Sequence, residues 1–335
     1  MMTHRSVALI GIICSILVLA GCRFAAQTAV APTPTIVPTT AVAQIAPTVT
    51  PTPTPTLTPT ATPEPTATPE PAAARFAIIG DLGEPGIISE AVANLVKGWQ
   101  PEFIVTTGDN NFPNGEAATI DPNVGQYYHE FIHPYQGEYG AGAETNRFFP
   151  ILGNHDWDVP GATPYFDYFT LPGNERYYSV VHEPVTIYAL NSMPGEPDGI
   201  EADSQQAAWL QQELAASTTC WDLVFFHHTA YTSGHRGPAP WMRWPFAEWG
   251  ADATFSGHNH IYERVMLDGF PYITNGLGGG PRYAFAETVA AGSEVRYNLD
   301  HGAMLVEAVE GQLSFQFVTI TGEVIDSYTM EKSCP

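Results

Sequence analysis

Five short apolar runs in this chain end on carboxylate, amide or imidazole side chains. They read RFAIIGDLG to Asp81, EFIVTTGDN to Asp109, FFPILGNHD to Asn154 and His155, LVFFHHTAY to His227 and His228, and ATFSGHNH to His258 and His260. Apolar runs of this length bounded by turn residues read as strands. Between the first two, Ile88, Val92, Leu95 and Val96 recur at helical spacing, giving strand, helix, strand. Side chains carried at the carboxyl ends of strands in an open α/β sheet share one crevice. The pattern therefore predicts an α/β domain in which distant acids and histidines converge.

The remaining segments fill in the architecture. Residues 204–214 have a helical pattern with Ser204 as the N-cap. The C-terminal stretch AMLVEAVEGQLSFQFVTITGEVIDSYTM alternates apolar and polar residues, with turn signals at Gly311 and Gly322. Two β-sheets packed face to face, with helices outside, accommodate all of these elements.

The amino-terminal part is different in kind. His4 and Arg5 precede an apolar run at 7–19 that is short for a membrane span and ends in Leu19-Ala20-Gly21-Cys22. This resembles a bacterial lipoprotein signal, which implies cleavage before Cys22, a lipid on that cysteine and a location on the outer face of the cell membrane or at the cell surface. An uncleaved anchor or an ordinary signal peptide is the alternative. Residues 31–71 are dominated by Thr and Pro, too polar to build a core and suited to an extended stalk of about 3.1 Å per residue. The expected organisation is a signal at 1–21, a disordered stalk at 22–72 and one domain at 73–335. Cys220 and Cys334 are the cysteines left for that domain, as a disulfide or as two buried thiols.

Lys plus Arg number 12 against 35 for Asp plus Glu, a formal charge of −23. That balance argues against a nucleic-acid surface, so no nucleic-acid partner is expected, and membrane contact is expected only through the Cys22 lipid. The same charge repels phosphorylated substrates, so a phosphate-handling site needs strong local positive charge, for which metal ions are the obvious source. On a strand, His258 and His260 would face the same side about 7 Å apart, which suits two imidazoles on neighbouring ions. Alone, such a pair is as consistent with a polar turn.

Taken in order, GDLG, GDNN, GNHD, FFHH and GHNH resemble the calcineurin-like metallophosphoesterases, and GHNHIYER is most similar to the last motif of the purple acid phosphatases. The resemblance implies a four-layer α/β/β/α sandwich of two mixed β-sheets flanked by helices. It also implies two metal ions, whether iron, manganese or zinc. The first would take Asp81, Asp109 and His260, and the second Asp109, Asn154, His227 and His258. His227 is preferred to His228 because the family's ligand sits four residues before an aromatic, here Tyr231. A metal-activated water would be the nucleophile, attacking a phosphorylated small molecule, and the sequence holds no GxSxG elbow.

His155 corresponds to a non-ligand histidine that binds phosphate or protonates the leaving group, with Asp156 available to orient it. His235, in YTSGHRG, corresponds to another leaving-group histidine. Glu263 and Arg264 are expected to support the last loop as an ion pair. The chain departs from the family at two points. Phe112 stands where purple acid phosphatases have a tyrosine ligand, so no tyrosinate-to-iron colour is expected. Gly83 stands where other branches have a histidine. The resemblance implies phosphomonoester hydrolysis first, with phosphodiester or nucleotide hydrolysis, or a surface module that binds phosphate or a partner without turnover, as alternatives.

Overall fold

The computed structural model describes residues 73–334; the expected signal and Thr/Pro-rich stalk lie outside them. The strands, in chain order, are β1 (Ala73–Ile79), β2 (Phe103–Thr106), β3 (Phe148–Phe149), β4 (Tyr178–His182), β5 (Val185–Ala189), β6 (Trp221–Phe225), β7 (Ala253–Ser256), β8 (Tyr262–Leu267), β9 (Phe270–Asn275), β10 (Ser293–Tyr297), β11 (Gly302–Val309), β12 (Gln312–Thr319) and β13 (Val324–Glu331). They form two sheets, ordered β13-β12-β11-β1-β2-β3 and β10-β8-β9-β7-β6-β5-β4. Both are mixed. β1, β2 and β3 are parallel neighbours while β11 to β13 add an antiparallel meander, and β5, β6, β7 and β9 are parallel with antiparallel strands at both edges.

The alternation of β6 shows how the layers are held. Leu223 and Phe225 join the core shared with the first sheet, while Val224 packs outward with Leu210 and Leu214 of the helix Gln205–Ala216. A period of two thus splits one strand between two apolar layers. Aromatic pairs cross the inter-sheet core: Phe255 meets Phe315 edge-on at 5.9 Å and Tyr262 stacks on Phe317 at 4.4 Å. Ser204 caps the helix as expected, accepting from the Ala207 N–H at 3.1 Å. Gly311 and Gly322 turn the C-terminal meander with φ of 82° and 85°. A Cys220–Cys334 disulfide closes 114 residues and ties the tail to the start of β6.

At their carboxyl ends the two sheets are stitched together. Thr107 Oγ1 donates to the Asn275 carbonyl at 3.0 Å, and Asn275 Nδ2 donates to the Ile78 carbonyl at 2.9 Å. The loops after β1, β2, β3, β6 and β7 therefore all emerge at one edge.

Candidate metal centre

Asp81, Asp109, His258 and His260 all lie just past a strand and all have positive φ, at 54°, 53°, 65° and 40°. Non-glycine residues adopt this region reluctantly, at a cost of about 1–3 kcal/mol each, and such strain concentrates at functional sites. This corrects one expectation. His258 and His260 are not carried by strand alternation: β7 stops at Ser256, and a left-handed loop turns the two rings toward different partners.

Two groups of ligand atoms result, each within 4.8 Å: Asp109 with His227 and His258, and Asp81 with Asp109 and His260. Asp109 belongs to both. Asn154 Oδ1 completes the first group, 2.9 Å from His258 Nδ1 and 3.1 Å from His227 Nε2. The carboxylates are held by backbone donors from the opposing loops, Asp81 by the His258 N–H at 3.0 Å and Asp109 by the His155 N–H at 2.9 Å. Two of the imidazoles are fixed from behind. His227 Nδ1 donates to the Thr107 carbonyl at 2.9 Å and His260 Nδ1 to the Pro281 carbonyl at 2.6 Å, which leaves each Nε2 facing the cluster.

The electrostatics suit cations. Burial alone would raise the Asp109 carboxyl, yet His227 at 3.3 Å, with His155 beyond it, holds it well below the usual range. Burial opposes charge on His227 too, but Asp109 outweighs it and raises the ring to about 9. His258 is pushed down to about 2 by burial and by His227 and His228. Asp81 lifts His260 against its burial. A buried, ionised carboxylate shared between two sets of imidazoles, with a neutral amide oxygen in reach, is the donor chemistry of a pair of divalent cations, and the residues fit the group.

His227 ordinarily titrates at 6.5 and rises to about 9 here, so its pairing with Asp109 stabilises the metal-free fold fully below about pH 6.5 and is lost as pH climbs through about 9. Metal uptake displaces the same proton. Apparent metal affinity is therefore expected to rise with pH up to about 9, with proton release at neutral pH. Titration calorimetry in buffers of different ionisation enthalpy measures it, and no buffer dependence would contradict the pairing.

His155 stands at the mouth of the cluster. Its Nδ1 donates to the Pro113 carbonyl at 2.5 Å, its Nε2 lies 3.9 Å from Asp109 Oδ2, and the Phe112 ring packs on it at 4.4 Å. Asp156 does not orient it. Successive residues of the helix Asn154–Trp157 point about 100° apart, so Asp156 turns inward and accepts from the N–H groups of Gly153, Asn110 and Asn111 at 2.9 to 3.2 Å and from Asn110 Nδ2 at 2.8 Å. It braces the Asp109 loop instead. Burial and the Asp109 charge push its carboxyl up to about 7 against those donors.

Three further readings change. His235 is exposed in a turn closed by the Gly237 N–H on the Gly234 carbonyl at 3.0 Å, and its neighbour Arg236, rather than His235, lines the cavity beside the cluster. Glu263 and Arg264 do not pair, because neighbours on β8 face opposite sides. Glu263 accepts from Thr232, Ser233 and Ser293, while Arg264 binds Asp326 and Glu294. His228 is not separate from the site: its ring lies 4.5 Å from that of His258 and its Nδ1 is 3.0 Å from Ser192 Oγ. The double histidine signalled it, and Ser192 carried no signal. At Gly83 (φ 81°) a Cβ would stand 2.6 Å from the Gly279 and Gly280 backbone, so this loop excludes a histidine there.

The pattern of the calcineurin-like phosphoesterases matches residues 74–262, more than half of the chain. The chain belongs to that family. Similar chains include purple acid phosphatase 17 of Arabidopsis thaliana, 22% identical over 291 residues covering 77% of this chain and 84% of the relative. Purple acid phosphatase 15 of the same plant is 27% identical over 243 residues, 61% of this chain and 45% of that one. The structure of a purple acid phosphatase from yellow lupin seeds superposes with a TM-score of 0.64 at 18% identity, covering 79% of this phosphoesterase and 55% of the lupin chain. At that identity the likeness shows the fold, and the phosphoesterase spans little more than half of the lupin protein.

Proposed function

We propose that this phosphoesterase hydrolyses phosphomonoesters at a cation pair, one ion held by Asp81, Asp109 and His260 and the other by Asp109, Asn154, His227 and His258. The observation that carries the reading is the sharing of Asp109 by two ligand groups beside an accessible histidine. When bound, such ions would supply positive charge to a phosphoryl group and lower the pKa of water; iron, manganese and zinc all suit these donors.

The chain's own residues orient the reaction. Pro113 holds the His155 tautomer so that Nε2 is free to exchange a proton with the departing ester oxygen, and Phe112 restricts the ring to that orientation. His155→Asn is accordingly expected to lower kcat about 100-fold with metal content unchanged. Steady-state kinetics with elemental analysis checks this, and a kcat within twofold of the parent would remove His155 from the mechanism.

The test of the function is to strip metals with chelator, restore them singly and in pairs, and compare a phosphomonoester with its matching diester. Recovery of monoester hydrolysis supports the proposal; a faster diester rate favours a phosphodiesterase on the same core. A binding-only module is a second reading, favoured by Phe112 and Gly83, which leave the first ion three protein ligands. Lack of hydrolysis under every metal condition would select it.

The Leu19 to Cys22 motif supports export with a lipid anchor on Cys22. Mass spectrometry of the membrane-extracted protein should find an N-terminal peptide beginning at a lipid-bearing Cys22; an unmodified Cys22 would rule that anchor out.

A further inference from the structure

A cavity of about 580 Å³ opens beside the cluster, with His155 and Phe112 on its wall. Asp81, Asp109, His227 and His260 are each at most 1% exposed, so a phosphate seated there has this cavity beside it to receive its ester substituent. The chemistry of the walls is specific. Ile87 is 81% exposed at the first turn of its helix, and with Phe112, Pro281 and Tyr283 it makes the lining largely apolar. Together they form a contiguous apolar surface beside a polar centre, the kind of patch that marks a ligand site where singly scattered apolar groups do not.

Tyr283 is tied to the centre itself. It stacks on the ring of His260 at 4.1 Å, and the Arg236 guanidinium covers it at 5.0 Å while donating to its hydroxyl at 3.0 Å. A guanidinium held against a ring offers its own plane to a further flat group. Arg236 and Glu84 are the opposing charges on the lining, leaving no net charge to attract a second anionic group.

We propose that this cavity is the leaving-group pocket and that it selects phosphomonoesters of bulky aromatic alcohols over those of small polar ones. The proposal rests on the phosphomonoesterase reading and deepens it.

The experiment compares 2-phenylethyl phosphate with ethyl phosphate on the metal-loaded protein, since their alcohols are similar leaving groups and differ chiefly in size. The expected preference in kcat/KM is at least about tenfold and resides in KM, as burial of an aromatic group gives. Ile87→Asp is expected to bring the ratio toward one; the side chain is exposed, and thermal unfolding of the variant verifies its fold. Titration calorimetry with 2-phenylethylphosphonate and ethylphosphonate reads the pocket without turnover. Hydrolysis of both esters at equal kcat/KM, or an unchanged ratio in Ile87→Asp, overturns the pocket and leaves the phosphatase reading intact. Preferential phosphonate binding without hydrolysis of either ester does the reverse.

Discussion

Asp109→Asn is expected to lower kcat/KM for a phosphomonoester by at least about 1,000-fold, a larger loss than any other single ligand change. Asp109 is the one side chain in both ligand groups, and it is 1% exposed. An amide removes the negative charge that lifts His227 to about 9 and supplies only one acceptor oxygen in place of two. Both cations are weakened together, whereas His260→Asn touches one group. Steady-state kinetics at saturating metal, with metal content determined in parallel, separates loss of the ions from loss of the fold. A variant that retains two ions and more than a tenth of the parent activity would show that Asp109 does not bridge.

The second large effect concerns stability. Arg264→Met is expected to cost about 3–5 kcal/mol, because it strands a buried carboxylate. Arg264 on β8 of one sheet reaches Asp326 on β13 of the other at 2.7 Å, with side chains 8% and 5% exposed. Tyr262 donates to the same carboxylate at 2.8 Å, and the guanidinium covers Tyr328 at 4.5 Å. Arg264→Met combined with Asp326→Leu should recover most of the loss, since the buried charge is then gone and the other partner, Glu294, is 53% exposed to solvent. Denaturant midpoints at unchanged slope measure this; a single variant within 1 kcal/mol of the parent would show that the pair holds nothing together.

Much of the centre was legible because each ligand sits at the end of a short apolar run, and the rule for α/β sheets brings those ends together. The side-chain directions were not. Asp156 follows His155 in sequence and suggests a partner, yet about 100° of helix rotation points the two side chains apart and Asp156 braces the 109–111 loop. His258 and His260 resemble a strand pair, and nothing in a histidine announces a left-handed backbone. The leaving-group histidine was expected at 235, one residue from the arginine that lines the cavity. The β4–β5 hairpin was missed because Glu183-Pro184 interrupts its apolar run as a turn would, and β8 to β10 were hidden beside the more conspicuous GHNH motif. Residues 111–142 carry no periodic pattern, and their short helical turns from Ala117 to Phe131 are fixed by contacts such as Asn123 Nδ2 to the Phe112 carbonyl, at 2.7 Å, that spacing does not reveal.

The central claim is that two cations share Asp109. Anomalous diffraction from crystals of the metal-loaded protein tests it most directly. Two peaks flanking the Asp109 carboxylate, one beside Asp81 and His260 and the other beside Asn154, His227 and His258, are the expected result. A single peak that Asp109 does not touch, or none in this crevice at saturating metal, would contradict it.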